Sequence, residues 1–216
     1  MKLLQLQTNF TFKGSRKYIH STSLCDFIVR GWCNFSGDEL TNASISIDIH
    51  EEARTNGKLI YFDSKQSIKE IGATCEAEIL INEKVASYCY FIEEHSFPAK
   101  EDSPSYDLSN FEIQSDFSGS CMLTVDSSLM LLENVVEANK RIHLMCLDAG
   151  DYNVLNIYMK NFPFSILKLG GKQRLHVENR RKRPQMGGVA TISDFWFELE
   201  PKKRFQISFY VRKIQE

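Results

Sequence analysis

Apolar and polar side chains alternate with period two over residues 4–7, Ala43–Ile49 and Cys75–Ile81. That spacing puts the apolar side chains on one face of a half-buried strand. Asn82-Glu83-Lys84 separates the last of these runs from residues 85–92, and Glu200-Pro201-Lys202-Lys203 separates 190–199 from 205–214. Each pair reads as a hairpin. A third hairpin is expected over 166–177, where Gly170-Gly171 supplies the positive φ of a tight turn. Two segments break the alternation. Ser21-Thr22-Ser23 precedes an apolar run over 24–31, and Asp126-Ser127-Ser128 precedes another over 129–138. Side-chain oxygens that can cap free backbone N–H groups, followed by an apolar run, predict a short helix at each place. Gly31 is expected to end the first helix in the left-handed conformation, with Trp32 closing its end. The second is apolar on nearly every side and is expected to be buried, with Glu133 on its one open edge.

These elements recur along the chain. Leu4-Gln5-Leu6-Gln7-Thr8-Asn9-Phe10 matches Phe111-Glu112-Ile113-Gln114-Ser115-Asp116-Phe117, Gly14-Ser15 matches Gly119-Ser120, and Thr22-Ser23-Leu24 matches Ser127-Ser128-Leu129. After each helix, 43–49 answers 141–147, 58–62 answers 155–159, and the closing hairpins 75–92 and 190–214 correspond. The widening offset places an insertion at 162–188. The expected fold class is α+β: a strand-rich tandem duplication in which each half is an antiparallel sheet wrapped around one helix. The halves fall at 1–95 and 110–216, joined by a polar linker, 96–109, that contains Pro98 and Pro104.

Composition narrows the class. Of 216 residues, 43% are hydrophobic and 25% charged, which is enough for a packed core and argues against disorder. The net charge of −2 gives the whole molecule no pull toward nucleic acid. Locally the charge is segregated. Residues 93–116 carry Glu93, Glu94, Glu101, Asp102, Asp107, Glu112 and Asp116 against Lys100 alone. Residues 168–183 carry Lys168, Lys172, Arg174, Arg180, Arg181, Lys182 and Arg183 against Glu178 alone. Such a basic segment can attract an anionic partner. The cysteines Cys25, Cys33, Cys75, Cys89, Cys121 and Cys146 form no C-x-x-C pair, and most sit in apolar runs as small hydrophobes. Without a signal-peptide pattern or a run long enough to span a bilayer, a cytoplasmic protein is expected.

Strand, apolar helix, then four strands, given twice, resembles the hotdog fold, in which a long antiparallel sheet wraps a central helix. A tandem copy looks like a double hotdog. The resemblance covers nearly the whole chain and rests on element order. It implies a protein that handles acyl thioesters of coenzyme A or acyl carrier protein, as a thioesterase or β-hydroxyacyl dehydratase, as a monomer or homodimer. Leu129-Met130-Leu131-Leu132-Glu133 is similar to the dehydratase helix, whose carboxylate works with a histidine from the opposite copy. The resemblance so assigns catalysis to Glu133 and His20, with Asp26 the nearest carboxylate in the first helix. A histidine and a carboxyl group together can move a proton from an α-carbon. Lys168, Lys172, Arg174, Arg180, Arg181 and Arg183 would meet the phosphates of coenzyme A or an acidic carrier. The sequence departs from that family in two places: no Gly-His-Phe-Pro-like loop occurs, and Ile28 stands where Glu133 maps in the first half. The alternative is a non-catalytic protein that uses the same fold to hold a lipid-like ligand or a protein partner. No cofactor is implied.

Other chemistries lack their residues. There is no G-x-S-x-G elbow, P-loop or dinucleotide fingerprint. The five histidines, His20, His50, His95, His143 and His176, are scattered singly. His50-Glu51-Glu52 comes nearest to a metal cluster, but alternate side chains of an extended chain face opposite ways, so no metal site is expected.

Overall fold

The alternating segments become strands of two separate units, Met1–Ser105 and Tyr106–Glu216. The computed structural model describes residues 1–13, 19, 21–36, 42–94, 96–102, 106–125, 128–147, 152–185 and 188–213. In the first unit β1 (Lys2–Gln7), β3 (Ala43–Ile49), β4 (Gly57–Phe62), β5 (Cys75–Ile81) and β6 (Lys84–Glu93) form an antiparallel sheet in the order β1-β4-β6-β5-β3. The short β2 (Thr11–Lys13) pairs in parallel with β7 (Ala99–Glu101), so part of the stretch expected as linker is strand. Alternation does what it predicts. Ala43, Ile45 and Ile47 of β3 and Cys75, Ala77 and Ile79 of β5 are buried, with Ile45 opposite Ile79 and Ile47 opposite Ala77 in the register. Asn82 and Glu83 both take positive φ, the geometry whose twist suits a two-residue hairpin.

Helix α1 (Ser21–Ser36) buries Leu24, Cys25, Ile28, Val29 and Trp32, a stripe at helical spacing. It does not end at Gly31. A Cβ there would lie 2.5 Å from Tyr61 Oη and 2.6 Å from Leu6 Cδ1. The glycine thus permits close approach of helix and sheet in place of a turn, and Trp32 packs inside the helix span. Tyr61 Oη donates to the Ile28 carbonyl at 2.9 Å, tying the same helical turn to β4.

In the second unit β8 (Leu108–Ser115), β9 (Ser118–Val125), β10 (Tyr152–Pro163), β11 (Gly171–Gln185), β12 (Gly188–Phe197) and β13 (Phe205–Lys213) form an antiparallel sheet in the order β10-β13-β12-β11-β9-β8. Helix α3 (Ser128–Met145) joins β9 to β10 and packs against the sheet. Leu131, Val135, Ala138 and Ile142 of the helix are buried, as are Leu175, Val177, Phe195, Phe197, Phe205, Ile207 and Phe209 of the sheet. Phe205 lies edge-on to Phe162 and stacks with Phe195, at centroid distances of 5.0 and 5.4 Å. Trp196 points to the opposite face, between His176 and Arg204.

Three expectations for this unit need correction. Residues 141–145 are the last turns of α3, not a strand, because Ile142 continues the helical stripe of Leu131, Val135 and Ala138. The expected 166–177 hairpin is a 3₁₀ turn (Phe164–Lys168) followed by β11, and Gly171, at φ +69°, starts that strand. The basic segment is then not an inserted loop. Residues 171–185 are one long strand that pairs with β9 and β12, and its charged end projects to solvent.

The units share an element order but not a strand order. In the second, β11, β12 and β13 form a meander, and β13 lies beside β10. In the first, the chain crosses from β4 to β5 through a four-residue helix, α2 (Ile68–Ile71), so β5 takes the place beside β3. The first unit's connection of residues 63–74 is long enough to step over one strand.

Candidate functional site

The chemistry of α3 follows from its wheel. At about 100° per residue, Leu131, Val135, Ala138 and Ile142 fall within about 60° of one another and form one buried stripe. Glu133 lies nearly opposite. It is nonetheless buried, with 8% of its surface exposed, rather than on an open edge. Next to it, Asn134 Nδ2 donates to the Thr124 carbonyl of β9 at 3.1 Å. In α1 the buried positions carry no carboxylate at all. Asp26 pairs with Arg30 one turn later, at 3.0 Å, with both side chains partly exposed. The two helices are therefore chemically unequal, and a buried carboxylate is present on one only. His20 lies outside the described residues, as do the helix-capping candidates Asp126 and Ser127.

A second polar group on α3 was not singled out from sequence. His143 has no exposed surface. Its Nδ1 lies 2.9 Å from the Asn139 carbonyl, and its Nε2 lies 2.8 Å from Thr191 Oγ1 on β12. A carbonyl only accepts, so Nδ1 carries the proton and the Thr191 hydroxyl donates to Nε2. Phe117 stacks on the ring at 4.8 Å, and Phe209 packs at 5.7 Å. Burial pushes the imidazole down to about 4, against the opposing pull of the Asn139 carbonyl. The side chain is thus a neutral, doubly satisfied core histidine. The signal that finds it is the helical spacing 131, 135, 139, 143, which appears once the helix is carried to residue 145.

The basic candidates divide in two. Arg174 pairs with Glu112 at 2.9 Å and reaches Glu198 at 4.0 Å. Arg180, the bulged residue of β11, binds Asp194 at 2.7 Å and Glu178 at 3.0 Å, and these carboxylates raise its pKa further. Lys182, beside them, pairs with Asp116 and sits over the Phe117 ring. Lys172, Arg181 and Arg183 are exposed and make no ion pair among the described residues. Lys168 closes the 3₁₀ turn.

No family model matches the chain, and no curated protein matches its sequence. Solved structures do match its fold. A protein of unknown function with a hot dog fold from Alicyclobacillus acidocaldarius superposes with a TM-score of 0.51 at 8% identity, over 98% of this chain and 93% of that one. A protein described as an oleoyl thioesterase from Lactobacillus plantarum gives 0.50 at 12% identity, over 98% and 96%. One described as a thioesterase II from Thermobifida fusca gives 0.51 at 10% identity, over 98% and 92%. Likeness at such identities establishes the fold. The chain has a double hotdog fold.

Proposed function

We propose that the protein handles acyl thioesters of coenzyme A or of an acyl carrier protein, with Glu133 as the carboxyl group at the reacting centre and His20 as its partner base. The observation that carries the reading is Glu133 itself, an ionisable side chain enclosed on α3 nearly opposite the stripe of Leu131, Val135, Ala138 and Ile142. Buried ionisable groups concentrate where chemistry is done. The fold adds weight. Two of the structures it resembles are described as thioesterases. Lys172, Arg181 and Arg183 supply cations that pair with no carboxylate among the described residues, the kind a phosphate or an acidic carrier surface meets.

The test is turnover of a panel of acyl-coenzyme A and acyl-carrier substrates by the full chain, followed for hydrolysis and for hydration–dehydration. Glu133→Gln and His20→Ala are each expected to lower kcat/KM at least about 100-fold, the low end of what a general acid or base supplies, while the melting temperature holds. Undiminished turnover in both variants rejects the assignment.

One observation favours a second reading, a binding or assembly protein without turnover. Two candidate proton carriers on the helices are already engaged: Asp26 is held by Arg30 and His143 by Thr191. Native mass spectrometry of the purified protein separates the readings. A retained acyl ligand with no hydrolysis of any substrate supports the second.

A further inference from the structure

On the first unit's sheet, the face turned away from α1 carries three ligand-type side chains in one place. Alternation sends Ala43, Ile45 and Ile47 inward, so Asp48 points outward from β3. Two residues on, His50 follows on the same side. The register pairs Asp48 directly with Glu76 of β5. Just past the end of β3 the backbone is fixed: the N–H groups of His50 and Glu51 both donate to the Thr74 carbonyl, at 3.0 and 3.2 Å. One ligand atom each from Asp48, His50 and Glu76 lies within 4.8 Å of the other two.

Two features of this cluster are unfavourable for a bare protein surface. Like charges directly opposite on paired strands repel. Lys65 offsets this in part, 3.5 Å from Glu76 Oε1, but it is shared with Glu78 at 3.8 Å. The other oxygen, Glu76 Oε2, is shut off from solvent and receives no hydrogen bond. Tyr90, its neighbour on β6, has its hydroxyl occupied by Gln66. The balance is three carboxylates and one imidazole against one ammonium.

We propose that Asp48, His50 and Glu76 bind a divalent first-row transition-metal ion. One imidazole nitrogen and two carboxylate oxygens are the donors that zinc, cobalt, nickel or iron(II) accept, whereas magnesium and calcium take oxygen alone. His50 is exposed, which leaves a side of the ion open to water. The ion would staple β3 to β5 at the mouth of the sheet. The site belongs to the first unit and is separate from Glu133.

The experiment is titration of the chelator-treated full chain with Zn²⁺, and with Co²⁺ as a spectroscopic probe, followed by equilibrium dialysis, cobalt d–d absorption and melting temperature. One equivalent of saturable binding and a rise in melting temperature are expected, because an ion that binds only the folded state stabilises it. His50→Ala and Asp48→Asn should each weaken binding by about tenfold or more, since loss of even an outer-shell partner costs that much. Lys65→Ala removes the competing ammonium and should tighten binding, a readout that a misfolded ligand variant cannot mimic. No saturable binding, equal affinity in the His50→Ala/Asp48→Asn double variant (metal held by the free cysteines instead), or weaker binding in Lys65→Ala overturns the proposal.

Discussion

His143 has a different pKa in the folded and unfolded chain, and stability must therefore depend on pH. Unfolded, the imidazole titrates near 6.5; folded, burial holds it at about 4. Between those values the unfolded state binds the extra proton, so stability is full above pH 6.5 and falls as pH drops toward 4. The difference is worth about 3 kcal/mol at most. Urea unfolding of the wild type at pH 7 and pH 4.5 should show this loss, and His143→Gln should show a shallower fall over the same window. At pH 7 the variant should be weaker by about 1–3 kcal/mol, because Thr191 and the Asn139 carbonyl, on fully buried residues, lose their partner. Equal pH dependence in both proteins would mean that the ring takes up its proton inside the fold. The same residue marks a limit of reading sequence. In one dimension it is a lone histidine. Its role appears only when α3 extends far enough to bring it against β12.

At the scale of elements, Gly31 sets two known effects against each other. Alanine in place of glycine favours a helix interior by about 1 kcal/mol. Here the added Cβ would strike Tyr61 Oη and Leu6 Cδ1. Leu6 can rotate away. Tyr61 cannot do so cheaply, because its ring is fully buried and its hydroxyl holds the Ile28 carbonyl. Overpacking costs about 1–3 kcal/mol, so Gly31→Ala should be destabilising on balance. In a Tyr61→Phe background the penalty should shrink, and a double-mutant cycle measured by chemical denaturation would show the coupling. This glycine also shows what was legible and what was not. Both helices were visible as hydroxyl-led apolar runs, and the 75–92 and 190–214 hairpins as alternation around polar turns. Helix ends were not visible. Gly31 looks like a terminator until the sheet behind it is known. Residues 141–147 mimic a strand because Ile142, Leu144 and Cys146 happen to alternate. The charged end of β11 hid its strand character for a physical reason: past Val177 both faces meet solvent, and the bulge at Arg180 shifts the phase. Glu133 was legible as an oddity, but its enclosure was not. Asp48, His50 and Glu76 were invisible as a set, since a register joins them and no sequence spacing does.

Over the whole molecule, the thiols test whether both cores are as closed as their packing implies. All six cysteines are free. Four are buried: Cys25, Cys75 and Cys89 in the first unit and Cys121 in the second. Burial disfavours the thiolate at each of them, pushing Cys121 to about 11 and the other three well above the ordinary range. The thiolate is the reactive form, so these four are doubly protected, by access and by ionisation. Cys33 is half-buried, and its pKa is also raised by burial, with a backbone hydrogen bond opposing. Cys146, past the end of α3, is the other half-buried thiol. Alkylation of the native protein with iodoacetamide, read by peptide mass spectrometry, should therefore mark Cys146 first and Cys33 more slowly. The remaining four should react only at the rate of opening, and all six at once in denaturant. Because the slow sites report exposure of each unit's interior, their rates also rank the two units in stability under identical conditions. Rapid native labelling of Cys25, Cys75 and Cys89 would show that the first sheet does not close over its helix, and would remove the packing on which the fold of that unit rests.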